Sequence, residues 1–374
     1  MRVPIGIWGA SRMVCLGLAH LTSRMVMPHD FSASILGESG LVSSLLRWDA
    51  LFFYLIAREG YTSDKSTAFF PLYPLLVRLL SHASNQTISI AWSGFLLSNG
   101  FFCCSAVILY RLTERFFDKR TAICASVLFC FSPCSILYSA MYTESAFCFF
   151  VLGSIYALMS QQRLACALLL GCASATRSNG VTLAPLIAFE GLRNSSYRGV
   201  GYALVPVAVF LGIQLFWWYT RFRHIGFMLP YSYIQTVFWE QGFLRFYTYP
   251  KNIPNVFVGL PFVLLSTFIA GRVTAREWRA LQAVRAKKTW KAYLTTFKVL
   301  LLFLNATLIF QILLSIFFIH MNMHFRFVSF NPLIYWELAS FFSEPQILSS
   351  LMLFGYLSFG VAYSVLFGAY FPPA

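Results

Sequence analysis

The chain has 374 residues, 58% hydrophobic and 11% charged, with a mean hydropathy of +0.68 and a net charge of +15. A soluble domain is nearer a quarter charged, so this composition excludes a water-covered globule and indicates a polytopic membrane protein built from helices. The positive excess would suggest nucleic acid in a soluble protein; here it reads as Lys and Arg left on the cytoplasmic side, with no nucleic-acid partner.

The first apolar run, 5–27, carries Arg12 and Arg24 and lacks a small-residue cleavage site, so it is expected to stay as a first helix. The connection 28–88 is long and concentrates charge in a chain with 13 acidic residues. It contains RWDALFFYLIAREGYTSDKSTAFFPLYP, 47–74. FFPLYPLLVRLL, 69–80, is too short to span and predicts an interfacial helix, which places Asp49 at the membrane–water boundary. A carboxylate partly desolvated by Trp48, Phe52 and Phe53 suits proton exchange. On pattern alone, an ion pair with Arg47 or the cap of a helix beginning at Ala50 is the favoured reading of Asp49.

Further spans are predicted at 89–110, 122–138 and 142–160. In YSAMYTES, 138–145, Glu144 opens a helix, which matches either helix-dipole pairing or a substrate contact. The run 164–190 is interrupted by ATRSNG, 175–180, and predicts two short broken helices. Arg177 within it is costly at membrane depth, and either a phosphate or an internal carboxylate would satisfy it.

After a span at 200–222 comes IQTVFWEQGFLRFYTYPKNIPNV, 234–256. Its Trp239, Gln235 and Gln241 suit a sugar ring and its Arg245 and Lys251 a phosphate, or the segment is an interface belt. Spans at 256–271 and 299–320 flank a basic loop, 272–298. In HMNMHFRFVSFNPLIYW, 320–336, His320 and His324 are four apart, but without a third ligand they favour hydrogen bonding by His324 and Arg326 over a metal. The last span is 347–368. The nine cysteines form no CxxC pair and read as small buried hydrophobes.

Placing the basic segments 111–120, 193–198 and 272–298 on the cytoplasmic side gives a cytoplasmic N-terminus. Residues 28–88, 133–144, 223–255 and 321–346 then fall on the other side, with most carboxylates, Glu337 among them. Of the sequons, Asn194 and Asn305 are expected to be unmodified, and Asn85 is left open. With no linker or repeat, 1–374 is expected to be one integrated domain.

Taken together, RWDALFF with IAREGY and AFFPLYPL, SNG (98–100), SPCSILYSAMYTES (132–145), ATRSNG, WEQGFLRFY with IPN (239–255), and H-x5-RF followed by NPLIYW (320–336) resemble the GPI mannosyltransferase 2 (PIG-V) family. That family belongs to the GT-C superfamily of membrane glycosyltransferases. The resemblance implies a GT-C-like bundle of about 9–11 transmembrane or re-entrant helices, with a long first luminal loop carrying the interfacial helix. It implies an endoplasmic reticulum enzyme that adds the second mannose of the GPI core, α-1,6, from dolichol-phosphate-mannose. One inversion from a β-linked donor needs one general base, and no metal or other cofactor is expected. The resemblance makes Asp49 the base, with Asp30 the alternative carboxylate, Arg47 and Trp48 shaping the site, and Arg177, Arg245 or Arg326 holding the donor phosphate. Glu144, Trp239 and His324 are expected to contact substrate. A small membrane partner subunit is also implied.

Two other readings compete. Another dolichol-phosphate-sugar transferase of the same superfamily would share the loop Asp but not the 239–255 and 320–336 blocks. A transporter would show inverted repeats around broken helices, and ATRSNG has no counterpart in the other half.

Overall fold

The computed structural model describes residues 2–27, 36–287, 294–343 and 346–371. Asp30, the alternative carboxylate, and Glu344 lie outside the described residues, as do Lys288 and Lys291 of the basic segment. Among the described residues there are helices and 3-10 turns and no strands. The first part comprises α1 (Arg2–Met25), α2 (Gly40–Ser43), α3 (Asp49–Glu59), α4 (Leu72–Ala83), α5 (Ile90–Glu114) and α6 (Lys119–Cys130). Then follow α7 (Glu144–Met159), α8 (Arg163–Thr176), α9 (Ala184–Arg193), α10 (Tyr197–Tyr202), α11 (Leu204–Thr220) and α12 (Pro230–Phe238). The chain continues with α13 (Ile253–Lys287), α14 (Thr296–Phe317), α15 (His324–Val328), α16 (Pro332–Phe342) and α17 (Ile347–Gly368).

Among the described residues five helical segments are long and apolar enough to cross a membrane: 90–114, 197–220, 250–285, 296–317 and 347–368. The protein is therefore a multi-pass membrane protein. Helices α7 and α8 are apolar but shorter. At 1.5 Å per residue the 14 residues of α8 rise about 21 Å, short of a bilayer core. The expected break follows at once: Arg177 is extended (φ −151°, ψ 146°), a 3-10 turn covers Ser178–Leu183, and α9 begins at Ala184. Gly180 makes this turn possible, because a Cβ there would lie 2.5 Å from the Ser174 backbone nitrogen.

Helix α4 forms where the short apolar run predicted it. Tyr73, Val77 and Ser81 share its buried face at i, i+4 spacing, while Leu75 and Leu79 stay exposed. The Tyr73 hydroxyl anchors it 2.6 Å from Ser98 Oγ on α5. The expected span 122–138 is shorter than predicted. Helix α6 stops at Cys130 ahead of Pro133, and a 3-10 turn covers Ser135–Tyr138. Arg12 of α1 is buried beneath this turn. It donates to the Ser135 carbonyl at 2.9 Å and to Ser139 Oγ at 2.7 Å, and its guanidinium lies 4.5 Å from the Phe102 ring centre. Arg12, a charge inside the first apolar run, is thus the clasp between the first helix and the segment leading into α7.

Two expectations from charge are corrected. The basic loop 272–298 is mostly helix, since α13 runs unbroken to Lys287; its Ala- and Arg-rich sequence favours helix once it leaves the apolar span. The segment 321–346 does not lie on one side. Buried α16 carries the chain back through the bundle, so Glu337 reaches the basic end and accepts from Arg276 at 2.7 Å. Trp336 donates to Thr113 near the end of α5 at 2.8 Å. Lys298 pairs with Glu277 at the same end, at 2.7 Å.

Helix α17 therefore starts at the basic end and rises to the opposite one. Gly368 lies against the Ala19 carbonyl of α1, an approach only a residue without Cβ allows. Tyr370 beyond it packs on Trp48 with ring centroids 5.7 Å apart. A membrane-impermeant thiol reagent is expected to label Phe371→Cys and Phe227→Cys from one side and Arg285→Cys from the other, in a background free of exposed native thiols. Labelling of Phe371→Cys and Arg285→Cys from the same side would remove the extra pass through α16.

Candidate active site

A cavity of about 410 Å³ opens at the end of the bundle opposite the basic residues. It forms where the start of α3, the break at Arg177, the turn after α12 and the segment before α15 converge. Its volume is in the range of pockets that enclose small ligands. Among the described residues, Asp49 is the one carboxylate in its lining.

Local backbone chemistry sets Asp49 there. Trp48 adopts φ 52° and ψ −116°, a conformation that costs a non-glycine residue about 1–3 kcal/mol. The turn is fixed from outside by the Tyr142 hydroxyl, which donates to the Arg47 carbonyl at 3.0 Å. Asp49 is then the first residue of α3 and makes no capping bond; Trp48 holds the cap position. Asp49 Oδ2 instead accepts from Arg326 Nη2 at 3.0 Å, across 277 residues of sequence. That partner was out of reach of sequence spacing.

Arg326 is 5% exposed and also donates through Nε to Glu144 Oε1 at 2.8 Å. Its guanidinium sits 5.0 Å from the Tyr142 ring centre. Glu144, 1% exposed, accepts from Arg177 Nη1 on the same oxygen at 2.8 Å. Arg177 lines the cavity and is flanked by the rings of Phe147 and Phe327 at 5.8 and 5.5 Å. Two carboxylates and two guanidiniums thus form a formally neutral chain, Asp49–Arg326–Glu144–Arg177. Pairing of this kind is what makes buried charge tolerable. The internal carboxylate that the sequence left open for Arg177 is Glu144.

The opposite wall is aromatic. Trp239 lines the cavity and meets Phe69 edge-on at 5.9 Å, while Phe69 stacks on Phe52 at 4.6 Å. The Trp239 carbonyl lies 2.9 Å from His320 Nε2. Burial lowers the pKa of His320, so it is neutral at neutral pH and adds no charge to the lining. Gln235, Gln241 and Asn322 supply hydrogen-bonding groups. Aromatic faces beside amides suit a sugar ring.

Of the residues singled out in the sequence, Trp48, Asp49, Arg177, Gln235, Trp239, Gln241, His320 and Arg326 line this cavity. Arg47, His324, Glu144 and Arg245 do not. Arg47 is buried with its guanidinium 4.5 Å from the Tyr370 ring centre. His324 is fully buried between α13 and α14, its ring nitrogens 2.8 and 2.9 Å from Ser315 and Ser266 hydroxyls. Arg245 donates to the Thr236 carbonyl at 3.1 Å. His320 and His324 thus have different hydrogen-bond partners, the Trp239 carbonyl for one and two serine hydroxyls for the other.

Asn179 lines the cavity and went unremarked in the sequence, although ATRSNG contains it. Both ends of its amide are buried without a protein partner, so it is available to a ligand. Its sequence signal is the polar ATRSNG insert itself, in which the asparagine lies two residues after Arg177.

The sequence matches the mannosyltransferase (PIG-V) family over residues 19–199 and 215–357. GPI mannosyltransferase 2 of Schizosaccharomyces pombe is 26% identical over 406 residues, covering 97% of this chain and 83% of that protein. GPI alpha-1,6-mannosyltransferase 2 of Cricetulus griseus is 28% identical over 302 residues, covering 65% of this chain and 60% of that protein, so the chain spans less than two thirds of that relative. The crystal structure of ArnT from Cupriavidus metallidurans bound to undecaprenyl phosphate superposes with a TM-score of 0.50 at 15% identity, covering 96% of this chain and 68% of that one. The chain therefore shares the overall fold of that structure over nearly its whole length.

Proposed function

Because the chain belongs to the PIG-V mannosyltransferase family, we propose that it transfers the second mannose of the GPI core, in α-1,6 linkage, from dolichol-phosphate-mannose to a GPI precursor. The cavity faces the lumen of the endoplasmic reticulum, and the basic end of the bundle faces the cytoplasm. The observation that carries the chemistry is Asp49, the cavity's one carboxylate among the described residues, backed by a buried arginine.

Asp49 accepts the proton of the acceptor 6-hydroxyl as that oxygen attacks the anomeric carbon of the donor mannose. The bond from that carbon to the phosphate oxygen breaks on the opposite face, and dolichyl phosphate leaves with the bonding electron pair. One displacement turns a β-linked donor into an α-linked product, so a single carboxylate is sufficient. Arg177 meets the phosphate, because a guanidinium already flanked by protein loses little freedom on binding it. The Trp239 wall receives a sugar ring.

The test is transfer from dolichol-phosphate-mannose to a GPI intermediate bearing one mannose, with linkage analysis of the product. The expected product gains one α-1,6 mannose. Equal transfer to a lipid acceptor outside the GPI series would overturn the acceptor assignment.

A further inference from the structure

Glu144 occupies an unusual place in the charge chain. It is 1% exposed and does not line the cavity, so it is placed to touch neither donor nor acceptor. One of its oxygens, Oε1, takes both guanidiniums, Arg177 and Arg326, at 2.8 Å each. Its other oxygen has no hydrogen-bond partner in the protein. It is the first residue of α7, where backbone N–H groups and the helix dipole favour a negative charge.

The two arginines it holds look in different directions. Arg326 spends its Nη2 on Asp49, while Arg177 presents itself to the cavity between two phenyl rings. We infer that Glu144 is a positioning residue that fixes Arg177 toward the donor phosphate and Arg326 toward Asp49 from one shared oxygen. This rests on the lipid-phosphate donor proposed above, and it replaces the substrate contact that the sequence suggested for Glu144.

The physical reason is charge balance in a dry site. Without the carboxylate, two cations in one buried pocket repel, and each side chain is driven to a rotamer that separates them. Holding Arg177 from behind leaves its outward donors in place for the phosphate, so they need no reordering when the lipid arrives. No other carboxylate among the described residues is within salt-bridge distance of Arg177.

The probe is dolichyl phosphate, bound to purified protein in lipid nanodiscs. Glu144→Gln keeps the shape and one acceptor oxygen but removes the charge, and is expected to weaken binding about 10- to 100-fold. Arg177→Gln is expected to weaken it at least as much, and the double variant to be no worse than Arg177→Gln alone. Glu144→Asp retains the charge, and therefore the fold, but shortens the reach; it is expected to give an intermediate loss. Wild-type affinity in Glu144→Gln or Glu144→Asp, or fully additive losses in the double variant, overturns the positioning role while leaving the donor reading intact. Failure of the wild-type protein to bind dolichyl phosphate overturns both.

Discussion

Asp49→Asn is expected to lower mannosyl transfer by about 10²- to 10⁴-fold, the usual contribution of a general base. The substitution keeps the side chain's volume and one oxygen for Arg326 but removes the basic site. The carboxylate is 29% exposed, which limits the structural consequences of losing its charge. Folding and dolichyl phosphate binding are therefore expected to survive, so the loss appears in turnover. A transferase rate near wild type in the Asn variant would eliminate Asp49 as base. A transporter that merely carried an Asp in a loop would tolerate the change, so the same variant separates the two classes.

Arg326→Gln should show the largest combined effect on stability and activity. Arg326 is buried and serves two carboxylates, Asp49 and Glu144, that start helices distant in sequence. Removing one member of a buried ion pair typically costs about 3–5 kcal/mol, because the partner charge stays behind. Arg177 still holds Glu144, which puts the expected loss toward the lower end of that range. Thermal unfolding in detergent should fall clearly for Arg326→Gln. Transfer should drop as Asp49 loses the group that orients it. Unchanged melting together with unchanged transfer would mean that the Asp49–Arg326–Glu144 chain contributes to neither.

The two variants also separate the two roles of the network. Asp49→Asn removes the proton acceptor and spares the scaffold. Arg326→Gln disturbs the scaffold and only indirectly the proton acceptor. A comparable loss of turnover in both, with a lowered melting temperature in Arg326→Gln alone, is the pattern that this geometry predicts.

The sequence by itself determined the membrane class, the broken helix at ATRSNG, the short helix of FFPLYPLLVRLL and the segments that supply the cavity wall. These follow from local properties: run length against bilayer thickness, a polar insert in an apolar run, and prolines before a short amphipathic stretch. It also singled out Asp49, yet it offered Arg47 or a helix cap as the bland alternatives. Only the tertiary structure decided that Trp48 occupies the cap position and that Asp49 accepts from Arg326. The same holds for Glu144, legible as a helix-start carboxylate but not as the shared counter-ion of two arginines. Charge counting misplaced Glu337, because a buried helix with no charge of its own until that residue gives no sign of which way it runs. Periodicity and charge fix what a segment is and how far it reaches. Which buried charges meet depends on how helices separated by hundreds of residues pack, and in this bundle that packing turned a lone loop carboxylate into one end of a four-residue chain.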